Sequence, residues 1–213
     1  LRILAIDSAS EACSAALFEH DAMLGGCYEI LGRGHAERLV PMISELPGKG
    51  RADCILVSLG PGSFTGVRIG LAAARALGLA WQVPVLGYPT LALIAAMARS
   101  EMGKVPISVA VTGGHGEWFV QEFGKDGLPA SDLASLKPDD AAAAAQADCV
   151  AGSQAEALVA LRKSGCALPL LPDARAAQLL PDSLFSKQLT PLYGRAPDAK
   201  VAQAKSKGGK ARA

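Results

Sequence analysis

The sequence predicts an α/β protein of two lobes, residues 1–102 and 103–199, with a basic tail at 200–213. Two observations carry that reading. Half of the 213 residues are hydrophobic but only 5% are aromatic, so alanine and leucine supply the apolar mass and favour helices packed closely on a sheet. A strand, a tight turn and a second strand also open both halves, at residues 2–29 and again at 106–123.

The elements follow in order. Residues 2–8 are a short apolar run ending at Asp7, a central strand, and 12–18 and 23–29 are two more strands joined at Glu19-His20-Asp21. This meander differs from the βαβ opening of a dinucleotide-binding domain. After Gly32 and Gly34 a helix is predicted over 35–46, with Leu39, Met42, Ile43 and Leu46 on one face; Pro41 predicts a bend or a late start. "PGKG" at 47–50 is a turn, and 54–59 is a fourth strand. The next helix, 65–81, carries Gly66, Gly70, Ala73, Ala74 and Leu77 on one side, a spacing that lets a neighbour approach its backbone. A strand at 83–86 and a helix at 89–101 complete the first lobe. In the second, 106–111 and 118–123 are hairpin strands around "TGGHGE" at 112–117. The rest is looser: an alanine-rich stretch at 141–147, a strand at 149–152, helices at 154–163 and 174–180, and extended chain at 189–195 laid along another element.

Several function classes are excluded. The uncharged run 76–98 is broken by Gly78, Gln82, Pro84, Gly87 and Pro89, which suits helix, strand and helix rather than a membrane span. The start, "LRILAIDSAS", reads as a strand and not as a signal peptide. Cys13, Cys27, Cys54, Cys149 and Cys166 are odd in number and include no C-x-x-C pair, so neither a zinc site nor a disulfide framework is expected, and a reducing cytosol is the natural setting. Residues 200–213 hold five basic side chains and no acid, against 21 basic and 20 acidic in the whole chain, so the body is net acidic. The tail reads as disordered, with an electrostatic route to nucleic acid.

The chemistry concentrates at "SLGPGSFTGVRIG", residues 58–70. Gly60, Gly62, Ser63 and Thr65 could receive an anion at the start of the helix, with Asp7 at the neighbouring strand end holding Mg²⁺ through water. The alternative is a sharp turn at Gly60 and Gly62 capped by Ser63 or Thr65, with Phe64 covering an apolar neighbour and Arg68 paired across an interface. Asp7 then accepts backbone N–H groups. No P-loop, nucleophile elbow or histidine pair supports catalysis, which favours the turn and the interface. On periodicity the interface would use Leu39, Met42, Ile43, Val67, Leu71 and Ala74, with His35 at the helix start.

"ILAIDSASEACSAAL" (3–17), "HAERLVPMI" (35–43), "LGPGSFTGVRIGLAAARALGLA" (59–80), "VPVLGYPTLA" (83–92) and "PLYGR" (191–195) together resemble the bacterial TsaB, or YeaZ, family. The resemblance implies a fold of the actin, sugar-kinase and Hsp70 type (ASKHA) with ribonuclease-H-like lobes. It implies a non-catalytic scaffold and activator in making N6-threonylcarbamoyladenosine at position 37 of tRNAs that read codons starting with A. The implied partners are a TsaD-like catalytic subunit, a TsaE-like ATPase and, through the assembly, tRNA. ATP and magnesium would be used by the assembly, with no cofactor held firmly by this subunit and no metal site. A homodimer through the first lobe when alone, and a cytoplasmic location, are implied too. A stand-alone ATPase or phosphotransferase using Asp7 is the alternative. The family has a longer segment where this chain has "PGKGR" (47–51), and many members have Asp-Ala-Arg where Thr112-Gly113-Gly114 stands.

Overall fold

A computed structural model describes residues 1–194; the basic tail, 200–213, and Arg195 lie outside the described residues. Strands β1 (Arg2–Asp7), β2 (Ala12–Glu19) and β3 (Ala22–Ile30) form the expected meander. Helix α1 (His35–Glu45) leads to β4 (Cys54–Ser58), and α2 (Phe64–Trp81) leads to β5 (Val85–Tyr88) and α3 (Thr90–Met102). The first sheet has the order β3-β2-β1-β4-β5, antiparallel on the meander side of β1 and parallel on the other.

The same plan then recurs. Strands β6 (Ile107–Gly114), β7 (Glu117–Phe123) and β8 (Ala134–Leu136) are followed by α4 (Pro138–Ala144), β9 (Cys149–Ala151), α5 (Ala155–Arg162) and β10 (Cys166–Leu168). Their order, β10-β9-β6-β7-β8, with β6–β7–β8 antiparallel and β6–β9–β10 parallel, mirrors the first sheet strand for strand. Residues 174–180, expected as a helix, form a short 3-10 segment, Ala174–Leu179, capped by Asp173 and stopped at Pro181. Strands β8 (Ala134–Leu136) and β10 (Cys166–Leu168) are not among the expected elements; each is three residues long and only partly buried, so neither shows a long continuous apolar run.

Strand alternation sorts the side chains into layers. Leu4, Ile6, Ala15, Leu17, Ile55 and Val57 face α1 and α2, while Ala5, Ala16, Phe18 and Leu56 face α3. Helix α3 lies between the two sheets, and its residues Leu91 to Ala96 are all buried. Ala110, Val120 and Val150 cover the far face of the second sheet under α4 and α5. Pro41 does not delay α1, which runs unbroken from His35 with Pro41 on its exposed side. The last described stretch returns to the first lobe. Ser186 bridges Gly87, the Arg75 guanidinium donates to the Leu189 carbonyl at 2.7 Å, and Leu192 N–H donates to the Leu59 carbonyl at 2.8 Å.

Candidate functional site

The strand end that holds Asp7 is closed to solvent. The carboxylate is fully buried and accepts the Ala9 N–H at 2.9 Å on one oxygen and the Tyr88 hydroxyl at 3.2 Å on the other. Tyr88 also reaches the Ile6 carbonyl at 2.9 Å. Burial pushes the Asp7 carboxyl up to about 6 from an ordinary 3.8, against the pull of these hydrogen bonds. Among the described residues no cation pairs with it, and the group is a structural tie between β1, its turn and β5.

The glycine-rich loop explains itself by what it touches. Gly60, at φ 86°, gives its carbonyl to the Thr90 N–H at 2.8 Å, and Ser63 N–H donates to the Ala9 carbonyl at 2.6 Å. A β-carbon at Gly62 would sit on that Ala9 carbonyl, and one at Gly66 on the Ser8 carbonyl. Ser8 Oγ in turn donates to the Gly66 carbonyl at 2.9 Å. The glycines therefore let the start of α2 lie directly against the β1–β2 turn, with no Cβ to hold them apart. Ser63 caps the helix, its Oγ accepting the Gly66 N–H at 3.2 Å, while Thr65 is exposed on the first turn. Asp7, sealed in the core with both oxygens hydrogen-bonded, does not stand free to hold a metal beside this loop.

The interface predicted from periodicity needs correction. Leu39, Met42, Ile43, Val67, Leu71 and Ala74 are each 4% exposed or less and form the core between the two outer helices and the first sheet. Periodicity marks an apolar face without saying what covers it, and here the sheet does. His35 is buried too, and its Nε2–H donates to the Ser10 carbonyl at 2.9 Å, with the Ala12 carbonyl at 3.3 Å, so it pins α1 to the first turn. Of the nine residues, Phe64 and Arg68 alone are exposed.

The outward stripe of α2 runs through Phe64, Arg68, Ala72, Arg75, Ala76, Leu79 and Ala80, with Leu79 83% exposed. Val40 shows on the outer side of α1, which packs beside α2. The stripe has i, i+4 spacing, but alanines dilute its hydrophobic signal and hid it from the sequence reading. Among the described residues Arg68 meets no carboxylate within ion-pair distance. Its guanidinium carbon stands 3.5 Å from the centre of the Phe64 ring, and its nitrogens reach the Tyr193 hydroxyl at 3.3 and 3.4 Å. Phe64 and Tyr193 also touch, ring centres 5.6 Å apart. The two motifs that lie 125 residues apart thus meet in space. Tyr193 lies in the "PLYGR" motif, but no local pattern in it names Arg68 as the partner of the tyrosine.

This clasp stands at a cleft of about 890 Å³ between the lobes, bounded by the β1–β2 turn, the start of α2 and the β6–β7 hairpin at Thr112 to His115. Among the described residues no group of three His, Cys, Asp or Glu side chains is placed to hold a metal ion, and no helix is long and apolar enough to cross a membrane.

Comparison with known proteins agrees with this construction. A family model described as "TsaD: tRNA N6-adenosine threonylcarbamoyltransferase" matches residues 19–194. The chain is 37% identical over 131 residues to the tRNA threonylcarbamoyladenosine biosynthesis protein TsaB of Escherichia coli K12, a match covering 59% of this chain and 56% of that one. The match thus spans little more than half the length of that curated relative. The solved structure of YeaZ from Pseudomonas aeruginosa is 31% identical, with a TM-score of 0.79 over 90% of this chain and 99% of its own. A second structure, the ethanolamine utilization protein EutJ of Carboxydothermus hydrogenoformans, is 10% identical with a TM-score of 0.50 over 84% of this chain and 88% of that one, and shares the fold alone. With two five-stranded sheets of one topology and the glycine loop seated on the first turn, the chain belongs to the TsaB/YeaZ family.

Proposed function

We propose that this protein is a non-catalytic scaffold and activator in the formation of N6-threonylcarbamoyladenosine at position 37 of tRNAs reading codons that start with A. Its partner is a TsaD-like catalytic subunit. A TsaE-like ATPase and tRNA join through the assembly, which uses ATP and magnesium, and the setting is the cytoplasm. Family membership supports the pathway. The observation that carries the scaffold role is the outward stripe of α2, where Ala72, Ala76, Leu79 and Ala80 present small and apolar side chains without a carboxylate on the helix. Small residues let a partner helix approach closely, and a preformed surface can favour one arrangement of its partner. The same stripe serves a homodimer when the partner is absent. The phosphotransferase alternative draws no support from Asp7, which is sealed in the core.

Size-exclusion chromatography with light scattering tests the proposal, on the chain alone and mixed with the TsaD-like protein of the same organism. A one-to-one complex is expected, lost in Leu79→Glu and Ala76→Glu while their thermal midpoints stay within a few degrees of the parent. Survival of the complex in both variants would move the interface elsewhere. Failure of the parent to form any complex would overturn the scaffold role.

A further inference from the structure

We infer that the cleft between the lobes is a binding site for a small amphipathic organic anion, an apolar body of drug-like size bearing one carboxylate or sulfonate. The volume, about 890 Å³, falls in the range of ligand pockets. Its walls are mostly apolar, with Ala9, Pro61, Val67, Ile94, Val111 and Phe119 among them, and hydroxyl groups at Ser10, Ser63, Thr112 and Ser153. Such a lining suits a hydrocarbon or aromatic body, and among the described residues Arg68 is the one Lys or Arg side chain in it to meet an anion. The charged groups of the lining are Arg68 and Glu11, with His115 at the hairpin.

Which charge the cleft selects follows from which group is fixed in place. Arg68 is held at the mouth by the Phe64 ring on one face and the Tyr193 hydroxyl at its edge. Among the described residues no carboxylate lies within ion-pair distance of it. A guanidinium has five donors in a rigid fork, and one neutral hydroxyl leaves most of them for a ligand. Orienting it beforehand lowers the ordering cost of binding an anion. Glu11 is exposed, and its side chain takes part in no described hydrogen bond or ion pair, so it gains less from a cationic ligand. The aromatic pair Phe64 and Tyr193 flanks the point where the anionic group would sit, and extends the apolar wall outward.

The probe is 1-anilinonaphthalene-8-sulfonate, an aromatic body with one sulfonate, compared with N-phenyl-1-naphthylamine, the same body without the charge. Fluorescence titration of the whole chain should show one saturable site for the sulfonate, with the neutral analogue binding more weakly. Arg68→Gln should weaken the sulfonate about tenfold and the neutral analogue less than about twofold, since one charge-assisted contact is lost. Tyr193→Phe, which keeps the ring, should weaken the sulfonate by a smaller factor. Thr112→Trp, at an exposed lining residue whose Oγ1 accepts from the Gln154 amide at 2.8 Å, should block both probes while the cooperative thermal transition persists. Glu11→Gln should leave sulfonate binding unchanged or tighten it. Non-saturable binding, equal affinity for the two probes, loss of binding in Glu11→Gln rather than Arg68→Gln, or displacement of the sulfonate by ATP would each overturn the assignment.

Discussion

Asp7 carries a consequence that its hydrogen bonds alone do not suggest. Its folded-state value, about 6, lies above the ordinary 3.8, so the native state favours the protonated form. The stability this group allows is fully present below about 3.8 and is lost as pH rises through about 6. Asp7→Asn keeps the size and removes the ionisation, so the variant should gain on the parent across that window, by roughly 2–3 kcal/mol at most. Denaturant midpoints of both proteins from pH 4 to pH 8 check this, and their difference cancels the surface carboxylates. Glu19, Glu29 and Glu45 are held below the usual range by Arg2 and Arg38, and they act in the opposite sense as pH falls. A flat difference curve would mean that Asp7 stays solvated or gains a cation.

For the elements, glycine placement in α2 separates two explanations that predict opposite signs. Helix propensity alone makes Gly66→Ala stabilising by about 1 kcal/mol. The close approach of the Ser8 carbonyl makes it destabilising, because the new β-carbon has nowhere to go except into a backbone atom of the first turn. We expect a loss of at least about 2 kcal/mol in urea unfolding for Gly66→Ala, with Gly62→Ala behaving likewise. Ala72→Gly on the exposed side of the same helix should cost no more than propensity, about 1 kcal/mol. A stabilised Gly66→Ala would show that the loop can draw back from the turn. The ion pairs of Arg38 with Glu29 and Glu45 join α1 to β3 at the surface, where solvent screens them and little stability rests on them.

At the scale of the whole molecule, α3 makes the lobes one cooperative body. Leu91, Leu93 and Ile94 are fully buried in a core that also takes Phe18 and Leu56 from the first sheet and Val109, Phe119 and Phe123 from the second. A core shared this way offers neither sheet a way to unfold while the other persists. Trp81 reports on the first lobe and Trp118, buried under α4 and α5, on the second. Single-tryptophan variants Trp81→Phe and Trp118→Phe should therefore give coincident urea transitions, and Ile94→Ala should lower both midpoints together, at a cost of about 2–5 kcal/mol. Two separated transitions would show that the lobes fold independently.

Much of this architecture is legible along the chain, and the reason is local. The short apolar runs at 2–8, 12–18 and 54–58 and the cap of α2 depend on neighbours a few positions away, so strand, helix and turn chemistry can be read there without a fold. Gly66 is equally readable as a place of close backbone approach, and Gly60 and Gly62 as a sharp turn. What approaches them is not, since Ser8 and Ala9 come from another part of the chain. The same limit governed the interface: the periodicity of Leu39, Met42 and Ile43 is real, but a sheet and a partner protein demand the same apolar face, and the spacing cannot tell them apart. The three-residue strands β8 and β10 exist because neighbouring strands, β7 and β9, pair with them, and they carry little signal of their own. The clasp of Phe64, Arg68 and Tyr193 and the cleft beside it arise where the returning end of the chain meets the start of α2, a contact between distant segments that only folding brings about.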